Sequence, residues 1–286
     1  MKLFPILLTL LFLSCCSPKS SESPLHSDPL KLTNVKYGAY ERNVMDVYLP
    51  KNRTKDTPFV INLHGGAWTV GDKSNDTSLS KYLLSKGIAV ANINYRYANS
   101  TNTHLPEILD DVDNVFKYLI AHAQEWNTRS NGFSITGQSS GAHVSLMYAY
   151  TRTDKIKAIV DRCGPTDFTD TSTLWQFSNQ QLLDAVNKMT GNKTIWNDGD
   201  PVPELFTKSS PVKFVKNIPI LIIHGDQDPV VPIRQSYNLI DALKEKGYPY
   251  QLLIFRGADH SLDALPGNSV KKISSTADWI NQYGKN

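Results

Sequence analysis

Six short apolar runs recur between residues 58 and 255: PFVINL, IAVANINYR, FSITG, KAIVDRC, IPILIIHGD and YQLLIF. A strand apolar on both faces needs cover on both faces, as a mainly parallel sheet between helices provides. Segments of helical character lie between or after these runs. Residues 79–86 stop at Gly87, and residues 234–246 stop at Gly247. Residues 106–126 begin with Pro106 and place Ile108, Val112, Val115, Phe116 and Leu119 at helical spacing. Residues 140–151 and 270–283 complete the set. Two earlier runs, residues 37–40 and 44–49, flank a polar ERN turn and read as an antiparallel start. The expectation is one α/β domain over residues 35–286, with about eight mostly parallel strands and helices on both faces.

One interval breaks the alternation. Residues 165–217 separate the sixth strand from the seventh by far more chain than a crossover needs, so this is a small insertion. It holds a helical candidate at residues 180–189 and the aromatics Trp175, Phe177 and Trp196. It leaves from the carboxyl end of a strand, where open α/β sheets bind ligands. Two expectations stand side by side: a wall over a binding site, or a surface excursion with its own small core. The net charge is only +3, without a basic stripe interleaved with aromatics, so nucleic acid is not an expected partner.

The first residues differ in kind. MKLFPILLTLLFLSCCSPKSSESP has one lysine, an apolar stretch over residues 3–13 too short to span a bilayer, and then Ser-Cys-Cys. A small residue followed by cysteine after such a stretch resembles the lipobox of bacterial lipoproteins. That resemblance implies lipidation of Cys15, with Cys16 as the alternative. It also implies a signal segment at residues 1–15, a flexible tether at 16–34, and an exported, membrane-anchored protein of a bacterial envelope. Cys163, the third cysteine, then has no partner in the domain and reads as a buried, inert thiol.

GQSSG, residues 137–141, follows the FSIT run and opens a helix. A sharp strand-to-helix turn lifts the central serine above the sheet, and small neighbours relieve the crowding. As a nucleophile Ser139 needs a base, an orienting acid and donors for an oxyanion. HGDQD supplies Asp226 and Asp228 at a strand end, and GADHS supplies His260 after the next strand. His260 alone among the seven histidines follows both the serine and these acids. His64, His143 and His224 read as structural. HGGAW, residues 64–68, ends an earlier strand, and its glycines let backbone approach a ligand closely. No HExxH or Cys/His ligand cluster occurs, so neither a metal nor another cofactor is expected.

Taken together and in order, HGGAW, GQSSG, HGDQDPVVP and GADHS resemble the α/β-hydrolases from about residue 35 onward. Within them the chain is similar to the esterase group that includes bifunctional acetyl/feruloyl esterases and arylformamidases, which carry HGG-x-W. The resemblance implies a triad of Ser139, Asp228 and His260, with Asp226 shaping its loop. It implies oxyanion donors at the N–H groups of Gly66, Ala67 and Ser140. Many relatives have GxSAGG where this chain has GQSSGAH; the bulk of His143 bears on packing behind the nucleophile. Trp68, Trp175 and Trp196 are candidates for a substrate wall. The implied activity is hydrolysis of short or aromatic acyl esters, small-molecule or polysaccharide, with acetyl and feruloyl groups in view. The motifs do not separate ester from amide, so an arylformamidase or small serine peptidase is the second reading. A lipid-anchored binding protein on a dead scaffold is the third.

Overall fold

The computed structural model describes residues 28–263 and 265–285. The signal segment, Cys15, Cys16 and most of the tether lie outside them. Along the chain come β1 (Leu30–Lys36), β2 (Val44–Leu49), β3 (Phe59–Leu63), α1 (Thr77–Ser85), β4 (Ala89–Ile93) and α2 (Leu105–Ala121). Then follow β5 (Phe133–Gln138), α3 (Ser140–Thr151), β6 (Ile156–Arg162), α4 (Thr171–Asn179), α5 (Leu183–Thr190) and α6 (Glu204–Lys208). The chain closes with β7 (Ile220–Gly225), α7 (Arg234–Lys246), β8 (Tyr250–Phe255) and α8 (Asn268–Tyr283). The eight strands form one sheet in the order β1-β2-β4-β3-β5-β6-β7-β8, the α/β-hydrolase arrangement. β2 runs antiparallel to β1 and β4, and the remaining pairs are parallel.

Strand alternation sorts the core into two layers. Phe59, Ile61, Leu63, Ala89, Ala91, Ile93, Ile220 and Ile222 face the side covered by α2, α3 and α7. Val60, Val90, Leu221 and Ile223 face α1 and α8. The strands are therefore apolar on both faces because both faces are covered. The chain leaves β3 through α1 toward β4, but leaves β5 through α3 toward β6, on the opposite side. β3 and β5 are neighbours, so their carboxyl ends border the crevice where such sheets bind ligands. HGGAW and GQSSG are the segments that follow those two ends.

Two sequence expectations shift. The first strand is Leu30–Lys36, inside the expected tether, and residues 37–40 form the turn instead. Leu30, Leu32 and Val35 pack against the core, and a bulge at Asn34 (φ 55°) corrects the alternation between Leu32 and Val35. The insertion holds three helices rather than one. α4 was obscured by its polar sequence TSTLWQFSN, although its Asp170 cap, which accepts a hydrogen bond from the Ser172 N–H, was a readable start signal.

Beneath the crevice lies a buried polar network. The fully buried Arg162 donates through Nη2 to Asp76 Oδ2 (2.7 Å) and Asn62 Oδ1 (2.8 Å), and through Nε to the Gly137 carbonyl (3.2 Å). Asn62 and Ser80 both donate to Asn92 Oδ1. Removing one member of such a pair strands the other charge. Arg162→Met is expected to lower unfolding free energy by about 3 kcal/mol in urea denaturation. Adding Asp76→Asn should recover part of that loss; a double variant whose loss equals the sum of the singles would show the two groups to be uncoupled.

Candidate active site

Ser139 sits between β5 and α3 with φ 55° and ψ −123°, a conformation costly for a residue with a side chain. Two glycines make room for it. A Cβ on Gly137 would lie 2.2 Å from the Gly141 carbonyl carbon, and one on Gly141 would lie 2.3 Å from the Leu63 carbonyl oxygen. Backbone bonds hold the turn: Ser139 N–H donates to the Arg162 carbonyl (2.8 Å), and His143 N–H donates to the Ser139 carbonyl (3.1 Å).

The loop after β3 faces this turn. Gly66 (φ 122°), Ala67 (φ 46°) and Trp68 (φ 60°) are successive left-handed residues. Thr69 and Val70 N–H groups both donate to the Gly66 carbonyl. Tyr95 O–H donates to the His64 carbonyl (2.8 Å), and its ring stacks on the His64 imidazole at 4.4 Å. Arg42 donates to His64 Nε2 (3.2 Å), so the ring proton lies on Nδ1 and bonds the Gly65 carbonyl (2.7 Å). Burial, with the Arg42 charge nearby, lowers the His64 pKa to about 4. His64 is a neutral brace, as expected for a structural residue.

Asp228 and His260 meet at the ends of neighbouring strands β7 and β8. His260 Nδ1 lies 2.7 Å from Asp228 Oδ2, and Asp228 Oδ1 accepts the Val230 and Val231 N–H groups at 2.8 and 2.9 Å. Burial alone would raise this carboxyl, but hydrogen bonds from His224 and His260 hold it well below the usual carboxylate range. Asp226 instead accepts the Gly257 N–H at 2.6 Å and so shapes the turn after β8. Two supports add to this pair: His224, already read as structural, and Gln138, which the sequence reading did not single out. His224 Nε2 lies 3.3 Å from Asp228 Oδ2, and Gln138 Nε2 donates to the His260 carbonyl at 3.2 Å. The position of Gln138 beside the serine was the available signal for the second.

Ser139 and His260 line one open cavity of about 450 Å³, together with Gly65, Gly66 and Ala67. Its side-chain walls are Val70, Asn75, Asp76, Gln138 and Val230. No hydrogen bond joins Ser139 Oγ to His260 in this structure; such bonds are often long until substrate binds. The expectation of a tryptophan wall needs correction. Trp68 is 4% exposed and donates through Nε1 to His143, and Trp196 is 3% exposed and donates to the Asp200 carbonyl. Their rings fill the core because their N–H groups find partners there. Trp175 is 55% exposed on α4 and is not part of the cavity lining. No insertion residue lines the cavity either. The insertion touches the site's frame instead: Gln176 and Gln180 donate to the Pro229 carbonyl, beside Asp228.

Among the described residues one group has metal-ligand atoms close together: Cys163, His224 and Asp228. Its members already have hydrogen-bond partners in Ile223, Ser236, Val231 and His260. Burial also raises the Cys163 thiol well above its ordinary pKa, which disfavours the thiolate a metal would need.

The family model described as BD-FAE matches residues 45–243, a span that includes the serine turn, the loop after β3 and Asp228. The chain belongs to this family. The model of the dienelactone hydrolase family matches residues 206–282, which carry Asp228 and His260. Among the BD-FAE protein's relatives, Esterase LipC of Mycobacterium tuberculosis is 28% identical over 82% of this chain. Kynurenine formamidase of Drosophila melanogaster is 22% identical over 81% of this chain and 75% of its own length. A solved truncated form of a carbohydrate esterase from gut microbiota superposes with a TM-score of 0.72 at 25% identity, over 91% of this chain and 98% of that one. The chain spans about three fifths of the length of the first curated relatives it matches, 60% for LipC.

Acid should loosen the family member's frame in a defined window. His143, fully buried on α3, has its pKa lowered to about 4 by burial, as has His64. Below about pH 6.5 the unfolded chain takes up protons that these folded imidazoles refuse. Each therefore removes stability as pH falls from about 6.5 to 4. The buried Asp161 carboxyl, pushed up to about 7, acts in the opposite sense. The difference between variant and wild type isolates one group. Urea midpoints should show His143→Asn losing stability less steeply across this window, by about 1.4 kcal/mol per pH unit. Parallel slopes would place the uptake elsewhere.

Proposed function

We propose that the protein is a serine carboxylic-ester hydrolase with Ser139 as nucleophile, His260 as base and Asp228 as orienting acid. The observation that carries this reading is the His260–Asp228 bond at 2.7 Å, on the same cavity as a serine held in a strained strand-to-helix turn. Ser139 Oγ attacks the ester carbonyl carbon while His260 Nε2 takes its proton. The N–H groups of Gly66, Ala67 and Ser140 receive the oxyanion. Collapse expels the alcohol with the proton from His260. Water then attacks the acyl-serine, again through His260, and releases the acid. Asp228, held ionised, fixes the imidazole with its proton on Nδ1 and stabilises the imidazolium.

The cavity lining supports a reading of the substrate class. Apart from Ser139 and His260, the lining side chains are Ala67, Val70, Asn75, Asp76, Gln138 and Val230, and none of these is a large aromatic. That supports a short acyl group, such as acetyl, on a hydroxyl-bearing alcohol such as a polysaccharide, ahead of a feruloyl group. A panel of p-nitrophenyl acyl esters and methyl ferulate tests this. Acetate should be the fastest, methyl ferulate slow, and Ser139→Ala should lose at least about 10³-fold in kcat. Wild-type rates in Ser139→Ala would overturn the triad. The relation to a kynurenine formamidase supports including N-formylkynurenine as the amide arm of the panel.

We further propose that the chain is exported and anchored to a bacterial membrane through lipid on Cys15. The apolar stretch ending in Ser-Cys-Cys supports this. In a bacterial host, the full chain should incorporate labelled palmitate and show globomycin-sensitive processing. Processing without label would leave secretion alone.

A further inference from the structure

Trp68 and His143 join two parts of the site that the chain brings from different strands. Trp68 belongs to the loop after β3, whose Gly65, Gly66 and Ala67 line the cavity. His143 lies one turn into α3, the helix that begins with Ser140. The indole Nε1–H donates to His143 Nδ1 at 3.1 Å. An indole N–H can only donate, so Nδ1 accepts and the imidazole proton lies on Nε2. Nε2 in turn donates to the Ser209 carbonyl at 2.8 Å, in the chain just after α6. The rings meet edge to face at 5.3 Å, and Phe168 closes against both at 5.9 and 5.2 Å. Both side chains are buried, and burial keeps His143 neutral, the form that can accept.

The backbone shows why such a bond is needed. Ala67 and Trp68 are consecutive non-glycine residues at φ 46° and 60°, a state that persists only where surroundings over-determine it. The Trp68 carbonyl is held by the Ala98 N–H at 2.9 Å, and its side chain is held by His143. We propose that the Trp68–His143 hydrogen bond fixes the spacing between the two halves of the oxyanion hole, Gly66/Ala67 on one side and Ser140 on the other. His143 is on this account a positioning residue, not a catalytic one. The insertion contributes by fixing its tautomer through Ser209.

The inference rests on the esterase reading, and wild-type turnover abolished in Ser139→Ala is the control that separates the two. Trp68→Phe keeps a large ring but removes the N–H. His143→Gln retains a donor for Ser209 and loses the acceptor for Trp68; His143→Asn retains the acceptor near the Nδ1 position. With p-nitrophenyl acetate, Trp68→Phe and His143→Gln should each lose about tenfold or more in kcat, with KM within about twofold, as expected when oxyanion donors are misplaced. His143→Asn should recover most of that loss. The double variant Trp68→Phe/His143→Gln should be no slower than the worse single, because both remove the same bond. A boronic acid, whose tetrahedral serine adduct places an oxygen in the oxyanion hole, should bind more weakly in proportion to the kcat loss. Wild-type kcat and boronate affinity in folded Trp68→Phe would overturn the proposal, as would multiplicative losses in the double variant. If Trp68→Phe does not fold, the contrast between His143→Asn and His143→Gln decides it, and equal rates in those two overturn it.

Discussion

Two missing side chains set the geometry of this protein's functional half. Gly137 and Gly141 lie close enough that a Cβ on either would collide with backbone, 2.2 Å from the helix in one case and 2.3 Å from the end of β3 in the other. β5, the first turn of α3 and the end of β3 are thus locked at backbone contact. That contact forces Ser139 into its left-handed conformation and brings Gly65 to the turn, where a Cβ would lie 3.3 Å from Ser139 Cβ. Sheet order completes the arrangement, since β3 and β5 are neighbours only because the chain reverses direction across the sheet between them.

Histidine chemistry in this half divides along hydrogen-bond partners. His64, His143 and His224 each have both ring nitrogens engaged by fixed groups. Burial lowers the first two far below neutral pH. His260 differs: Nδ1 is taken by Asp228, and Nε2 has no hydrogen-bond partner among the described residues, while the ring lines the cavity. A base must have one nitrogen free and the other oriented, and this is the histidine in the constellation that meets both conditions. Asp228 is correspondingly overdetermined, with two N–H donors on Oδ1 and two imidazoles beside Oδ2.

Much of this was readable from sequence because it depends on local chemistry. Continuous apolar runs announced doubly covered strands, and Gly247 marked the end of α7, which spans Arg234–Lys246 as expected. GQSSG, the HGDQD segment and GADHS lie at strand ends that topology brings to one edge. The unreadable parts depend on long-range packing. Leu30 and Leu32 look like tether until Val47 and Leu49 on β2 pair with them. Trp68, Trp175 and Trp196 look alike in sequence, yet one braces a loop, one is exposed and one packs into the main core. For Trp68 the difference lies in an acceptor 75 residues away, His143, which no local pattern encodes.

The insertion is the feature whose meaning the structure changes most. Its length and its departure from a strand end left a cover and a surface excursion equally open, and its polar contacts run to the scaffold: Ser209 to His143, Gln176 and Gln180 to Pro229. The cavity walls come in part from the segment between β3 and α1, through Val70, Asn75 and Asp76. That segment is itself tied downward, because Asp76 is paired with Arg162, which also bonds the Gly137 carbonyl beneath the Ser139 turn. Wall segment and serine turn thus share one buried framework. In such an arrangement the shape presented to a substrate is set by the packed sheet end, with the insertion bracing that end from the side.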